Sequence, residues 1–173
     1  MDHCSLHRQH SRCPHLSNAS QAIQEGLLME SAIDILLRTS VEIAPESFAI
    51  VSVSFDTWHR LVSEPDRSPR MTAPFMVFMD KYEVTMVLDE IDLAKMRPGL
   101  EDAKIETGYR LLTFDTVMDF DVIGFIAEVS RILAAAEIPI LPLSAFSRDH
   151  LLIKQMHLAA ALKALGPHVK ELC

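Results

Sequence analysis

Three observations predict an α+β fold for this 173-residue chain. Residues Gly108 to Leu165 spell the order strand, helix, strand, strand, helix. Residues Phe48 to Met96 repeat that order with the first helix eroded, an internal duplication of structure without recognisable repetition of sequence. About half the residues are apolar (49%), enough to give a chain of this length one compact core or two small ones.

Residues 1–19 read as a disordered polar extension, since nothing there can bury a core. His3, His7, His10 and His15 with Cys4 and Cys13 bring zinc to mind, but the cysteines are too far apart and no paired histidines follow them, so the zinc-finger template is not met. Residues 20–44 read as a helix and linker. Ile23, Leu27, Leu28, Ile33, Leu36 and Leu37 fall near helical spacing between Ser20, a plausible N-cap, and Arg38, although Gly26 interrupts the pattern.

The first unit spans residues 45–103. Phe48 to Ser54 alternates as a half-buried strand. Asp56 to Pro74 is polar and proline-rich, with Trp58, Leu61 and Val62 suggesting one short helical turn. Phe75 to Met79 and Glu83 to Leu88 form a hairpin about Asp80-Lys81-Tyr82, and Asp89 to Met96 a brief helix stopped by Arg97-Pro98-Gly99.

The second unit spans residues 104–173. Gly108 to Val117 is strand-like, and the acidic Met118 to Asp121 leads into a helix whose apolar face carries Val122, Ile123, Phe125, Ile126, Val129, Ile132 and Leu133. Ile138 to Phe146 and Leu151 to Lys154 read as a hairpin about Ser147-Arg148-Asp149-His150. Met156 to Leu165 reads as a helix ended by Gly166-Pro167.

Composition narrows the function. A net charge of −8 and no basic run argue against a nucleic-acid partner, and the scattered Trp58, Tyr82 and Tyr109 give no stacking platform. No stretch approaches a membrane span, and three dispersed cysteines (Cys4, Cys13, Cys173) form no disulfide framework; a cytoplasmic protein without cofactor is the expectation. There is no G-x-S-x-G, P-loop or G-x-G-x-x-G. Asp149-His150 is an adjacent acid and base, but neighbours on a strand point apart.

Asp119-Phe120-Asp121-Val122-Ile123-Gly124 carries more information. A strand running into a helix leaves free backbone N–H groups and a positive dipole end, suited to an anion such as a carboxylate. Equally, Asp119 or Asp121 could cap those groups itself, with Gly124 serving only helix–sheet packing.

From Tyr109 to Leu165 the chain resembles the ACT-domain branch found in the arginine sensor CASTOR and in small tandem-ACT proteins. The resemblance rests on a leucine-rich strand, the acidic Asp119-Phe120 with a glycine shortly after, a helix, and the hairpin from Ile138 to Ile153 (IPILPLSAFSRDHLLI). It is looser over Ser47 to Arg97. It implies two ferredoxin-like (ACT-type) units side by side, the first degenerate, with an N-terminal helix. An amino acid or similar small molecule would then lie at an interface between units or subunits. Carried over by position, the ligand-binding residues are Asp119, Asp121, Val122, Ile123 and Gly124, facing Leu143, Ser144, Ala145 and Asp149. The polar members suit an ammonium or guanidinium, the helix N-terminus a carboxylate. Glu137 stands where the family has glycine, and Pro139 with Pro142 predicts a bent or partly unpaired strand.

The expected function is therefore non-catalytic binding of an amino acid, in a homo-oligomer or with a regulated protein partner. Two alternatives stand beside it: a ligand-free interaction module, and a small enzyme using Asp119, Asp121, Asp149 or His150 as acid or base.

Overall fold

The computed structural model describes residues 31–64, 70 and 72–173. The polar extension, its histidines and two cysteines, and the first part of the expected helix over residues 20–38 lie outside them.

Strand alternation and short caps build each element. Helix α1 (Ala32–Leu37) starts at Ser31, whose hydroxyl accepts the Asp34 N–H at 3.2 Å, and buries Ile35 and Leu36. Strand β1 (Ser40–Ile43) follows at once, and β2 (Phe48–Val53) continues beyond a four-residue interruption. Helix α2 (Phe55–Val62) is capped by Ser54 and turns Leu61 inward, so the expected helical turn is a full two-turn helix. The hairpin β3 (Met76–Met79) to β4 (Val84–Asp89) is closed by Asp80, which accepts the N–H groups of Tyr82 at 2.7 Å and Glu83 at 2.9 Å. Those two bonds hold the Asp80 carboxyl below the usual carboxylate range. Helix α3 (Glu90–Met96) is capped by Asp89, and the Arg70 guanidinium clamps the buried Asp89 and Asp92 together.

The second unit starts within β5 (Lys104–Asp115) and continues through α4 (Phe125–Ala135), β6 (Leu141–Ser144), β7 (Asp149–Lys154), α5 (Leu158–Leu165) and β8 (Glu171–Leu172). The α5 helix ends at Leu165, before Gly166-Pro167, as expected, but Gly166 stays right-handed and the chain passes into a 3-10 turn over Gly166–His168 rather than a left-handed stop. The ending of α4 does use a left-handed residue. Glu137 has φ 58°, its N–H donates to the Ala134 carbonyl at 3.0 Å, and the Ile138 N–H donates to Leu133 at 3.0 Å. This is a Schellman motif with glutamate at the glycine position, and Ile138 and Leu133 share one core.

All eight strands among the described residues join one sheet, with β5 in its middle. The first half of β5 pairs with β2, its second half with β1, and its other edge with β7. The first unit thus has the strand order β5-β2-β4-β3. The second has β7 and β6 on one side of β5 and β1, with β8 outermost, on the other. These are two ferredoxin-like, ACT-type units sharing one long strand.

Sharing that strand poses a parity problem, because side chains alternate sides along it. Ile105 pairs with Val51 and joins the first unit's helix-covered core, while Tyr109 pairs with Phe48 on the other face. Four residues apart, they would share a face in a regular strand. A bulge between them supplies the extra residue, and Gly108 at φ 76° takes the backbone conformation it needs. Leu112 and Phe114 then point into the second unit's core with Val129, Leu133, Leu151 and Leu165. The opposite face buries only a smaller patch of Phe48, Val87, Leu111 and Leu152.

Pro139 precedes β6, and Pro142 sits in β6 itself, an edge strand, where the missing N–H is tolerated.

Candidate functional site

The loop from β5 to α4 and the β6–β7 turn face each other on the helix side of the sheet. Three ties join them. The Met118 N–H donates to the Ser147 carbonyl at 3.1 Å. The Arg148 Nε donates to Asp115 Oδ1 at 2.9 Å. The rings of Phe120 and Phe146 meet edge to face at 4.9 Å. Both rings are otherwise open to solvent, 80% and 83% exposed, so they form a rim rather than part of the core.

Behind this rim lies a cavity of about 370 Å³. Its floor is the first turn of α4, where Phe125, Ile126 and Ala127 line the space. The helix begins at Gly124 with φ 87° and has no side-chain cap, so neither Asp119 nor Asp121 plays that part. The cavity lining includes two acidic residues, Asp119 and Asp149, and Arg148, whose guanidinium is paired with Asp115. Ser144 donates to Asp149 Oδ1 at 2.6 Å, fixing that carboxylate on the strand end. Such a set offers donors and dipole for an anionic group and carboxylates for a cationic one.

Six residues expected from the sequence line this cavity: Asp119, Val122, Gly124, Ser144, Ala145 and Asp149. Three do not. Asp121 is exposed and Ile123 is 78% exposed, because the turn closed by the Val122 N–H on the Asp119 carbonyl carries them outward. Leu143 faces the opposite side of the sheet, one residue out of phase with Ser144, and lines a different hollow. Arg148, Ser147, Phe146 and the first turn of α4 line the cavity as well, beyond the residues the sequence indicates; Arg148 beside Asp149 in the hairpin turn is the signal that points to them.

Asp149 and His150 point to opposite faces. The His150 Nδ1 is 2.9 Å from the Thr113 hydroxyl, and burial holds the imidazole below its usual value, with Arg148 adding to the shift and Asp149 opposing it. No acid–base pair is assembled from these neighbours.

The first unit supplies an internal comparison. A smaller hollow of about 170 Å³ near Ser52 and Glu83 lies at the end of β2, with Ser52 on the face of the sheet without helices, so it is not the equivalent of the second unit's cavity. There the Ser54 hydroxyl caps α2, and the Ser52 hydroxyl is bonded to the Glu83 carboxylate. The N-terminus of α2 is thus capped by its own chain, whereas that of α4 has no side-chain cap among the described residues. Among the described residues, no cluster of three or more His, Cys, Asp or Glu could hold a metal ion, and no helix is long and apolar enough to cross a membrane.

Comparison with known proteins bears on the unit holding this cavity. Residues 104–166 match the family model of the ACT domain. The ACT-type fold extends further along the chain than that match. A protein of Agrobacterium tumefaciens is similar in structure, with TM-score 0.61 and 21% identity, over 79% of this chain and 92% of that one. A Vibrio cholerae protein described as a possible transport protein gives 0.55 and 21%, over 78% and 93%. The ligand-free regulatory subunit of aspartate kinase from Thermus thermophilus gives 0.54 and 12%, over 77% and 98%. At these identities the likeness is one of fold. No curated protein matched the sequence.

Proposed function

We propose that this protein is a non-catalytic ACT-type module, of the CASTOR-like tandem branch, that reversibly binds an amino acid or close relative in the second unit. The observation that carries this reading is the open cavity between the β5–α4 loop and the β6–β7 turn, floored by a helix start that no described side chain caps, whereas Ser54 caps α2 in the first unit. A free amino acid needs opposite charges served a few ångströms apart. The N-terminus of α4, which no described side chain caps, suits its carboxylate, and Asp149, held by Ser144, its ammonium.

The exposed Phe120 and Phe146 on the rim favour a regulatory output. A ligand touching that rim biases whichever association the rim makes, with a second copy or with a regulated partner, in proportion to its differential affinity for the two states.

A thermal-shift screen of the purified protein against the twenty amino acids tests the reading. A ligand at a hundred times its dissociation constant adds about 2.7 kcal/mol to the stability of the binding form. One chemical class should raise the melting temperature, and Asp149→Ala should abolish the rise while the outward-facing Asp121→Ala retains it. A protein whose melting temperature ignores every amino acid, or whose response survives Asp149→Ala, contradicts the proposal.

A further inference from the structure

We propose a second small-molecule site on the opposite face of the sheet, one that takes an uncharged, ring-bearing molecule with a single hydrogen-bonding atom. The face without helices should be polar, as in most antiparallel sheets covered on one side only. Its periphery is: Ser52 and Lys104, or Glu42 and Thr113, pair across strands there. Its centre is not. Phe48, Val87 and Leu111 form a buried apolar floor, drawn from both units.

That floor is concave rather than flat. Phe75, at the entrance to β3, and Leu143, on the edge strand β6, form walls about a hollow of about 210 Å³. Apolar cavities of about 150 Å³ accept a benzene ring. The larger space here suits a fused bicycle. Among the described residues no Lys, Arg, Asp or Glu lines it, so a zwitterion or carboxylate entering it would lose hydration without a counter-charge from them. The polar side chain that distinguishes its wall is His150, whose Nδ1 is engaged by Thr113, leaving the other ring nitrogen as the directional group. Ser144 and Ala145 line both cavities, so the two lie back to back across the end of β6, with opposite chemistry.

Indole is a suitable probe, uncharged with one N–H, and indole-3-carboxylate is its charged counterpart. Titrating each into the 15N-labelled full chain should give saturable shifts of the Val87, Leu111 and Leu143 amides with indole, at a dissociation constant of about 1 mM or tighter. The carboxylate should bind at least tenfold more weakly. Leu143→Trp, which fills the hollow from an edge strand, should remove the indole shifts, and Asp149→Ala should leave them. Four results overturn the proposal: no saturable shift, shifts centred on the first cavity, equal binding of the charged probe, or binding that survives Leu143→Trp. Concentration-dependent shifts of these amides without probe, and none with it, would assign the face to self-association and also overturn it. Because Asp149→Ala acts only on the amino-acid cavity, failure of either site is read independently of the other.

Discussion

Replacing Glu137 with glycine should stabilise the protein, although it removes a side chain and adds no contact. Glu137 occupies the left-handed position of the Schellman motif that ends α4, at φ 58°. A left-handed conformation costs an L-residue about 1–2 kcal/mol, which glycine avoids. Glycine returns about 0.5–1 kcal/mol of this through its greater freedom in the unfolded chain. The Glu137 side chain is exposed and forms no ion pair or hydrogen bond of its own among the described residues, so little is lost with it. The balance is a gain of about 0.5–1 kcal/mol, or roughly 1–4 °C in melting temperature for a domain of this size. Urea unfolding should show a higher midpoint with an unchanged slope. Glu137→Ala is the control, since it removes the carboxylate and keeps the strained backbone. If Glu137→Gly is no more stable than Glu137→Ala, the backbone argument is wrong.

Three further outcomes follow from the same geometry. Gly108→Ala should cost about 1 kcal/mol in urea unfolding, since a Cβ there meets nothing within 4 Å and only the φ of 76° resists it. Arg70→Ala leaves the buried carboxylates of Asp89 and Asp92 without their clamp, so calorimetry should show a larger fall in melting temperature than Arg131→Ala, which breaks only the exposed pair with Glu128. His150, held below its usual value by burial, should add a pH dependence of definite sign. The unfolded chain takes up this proton first as the pH falls. Stability is therefore full above the unfolded value of about 6.5 and declines as the pH drops through it toward the lower folded value. His150→Gln should flatten that part of the urea-midpoint profile; an unchanged profile refutes the assignment.

The strands and helices of the second unit were legible because their apolar residues repeat at clear periods, and the β3–β4 hairpin was legible through Asp80. What escaped was non-local. Ser40–Ile43, read as linker, and Glu171–Leu172, unassigned, are strands because they pair with each other and, through β1, with β5. Four residues and two residues are too short to show alternation. The shared strand was missed for a related reason: Gly108 reads as a strand start, whereas it is the bulge that lets one strand serve two cores. At the cavity, the sequence indicated the right loop and hairpin but not the direction of each side chain. Asp119 and Asp121 are equivalent in composition, and a single turn hydrogen bond from Val122 decides which lines the cavity. Leu143 and Ser144 differ by one residue along a strand, which places them on opposite faces.

The most direct test of the account is hydrogen exchange with and without the amino acid that gives the largest thermal shift. If its carboxylate rests on the open helix N-terminus, the amides of Phe125, Ile126 and Ala127 and of the β6–β7 turn should slow together, while those around Ser52, Ser54 and Glu83 stay unchanged. Slowing centred on the first unit's loop, or none at the start of α4, would contradict the assignment of the site.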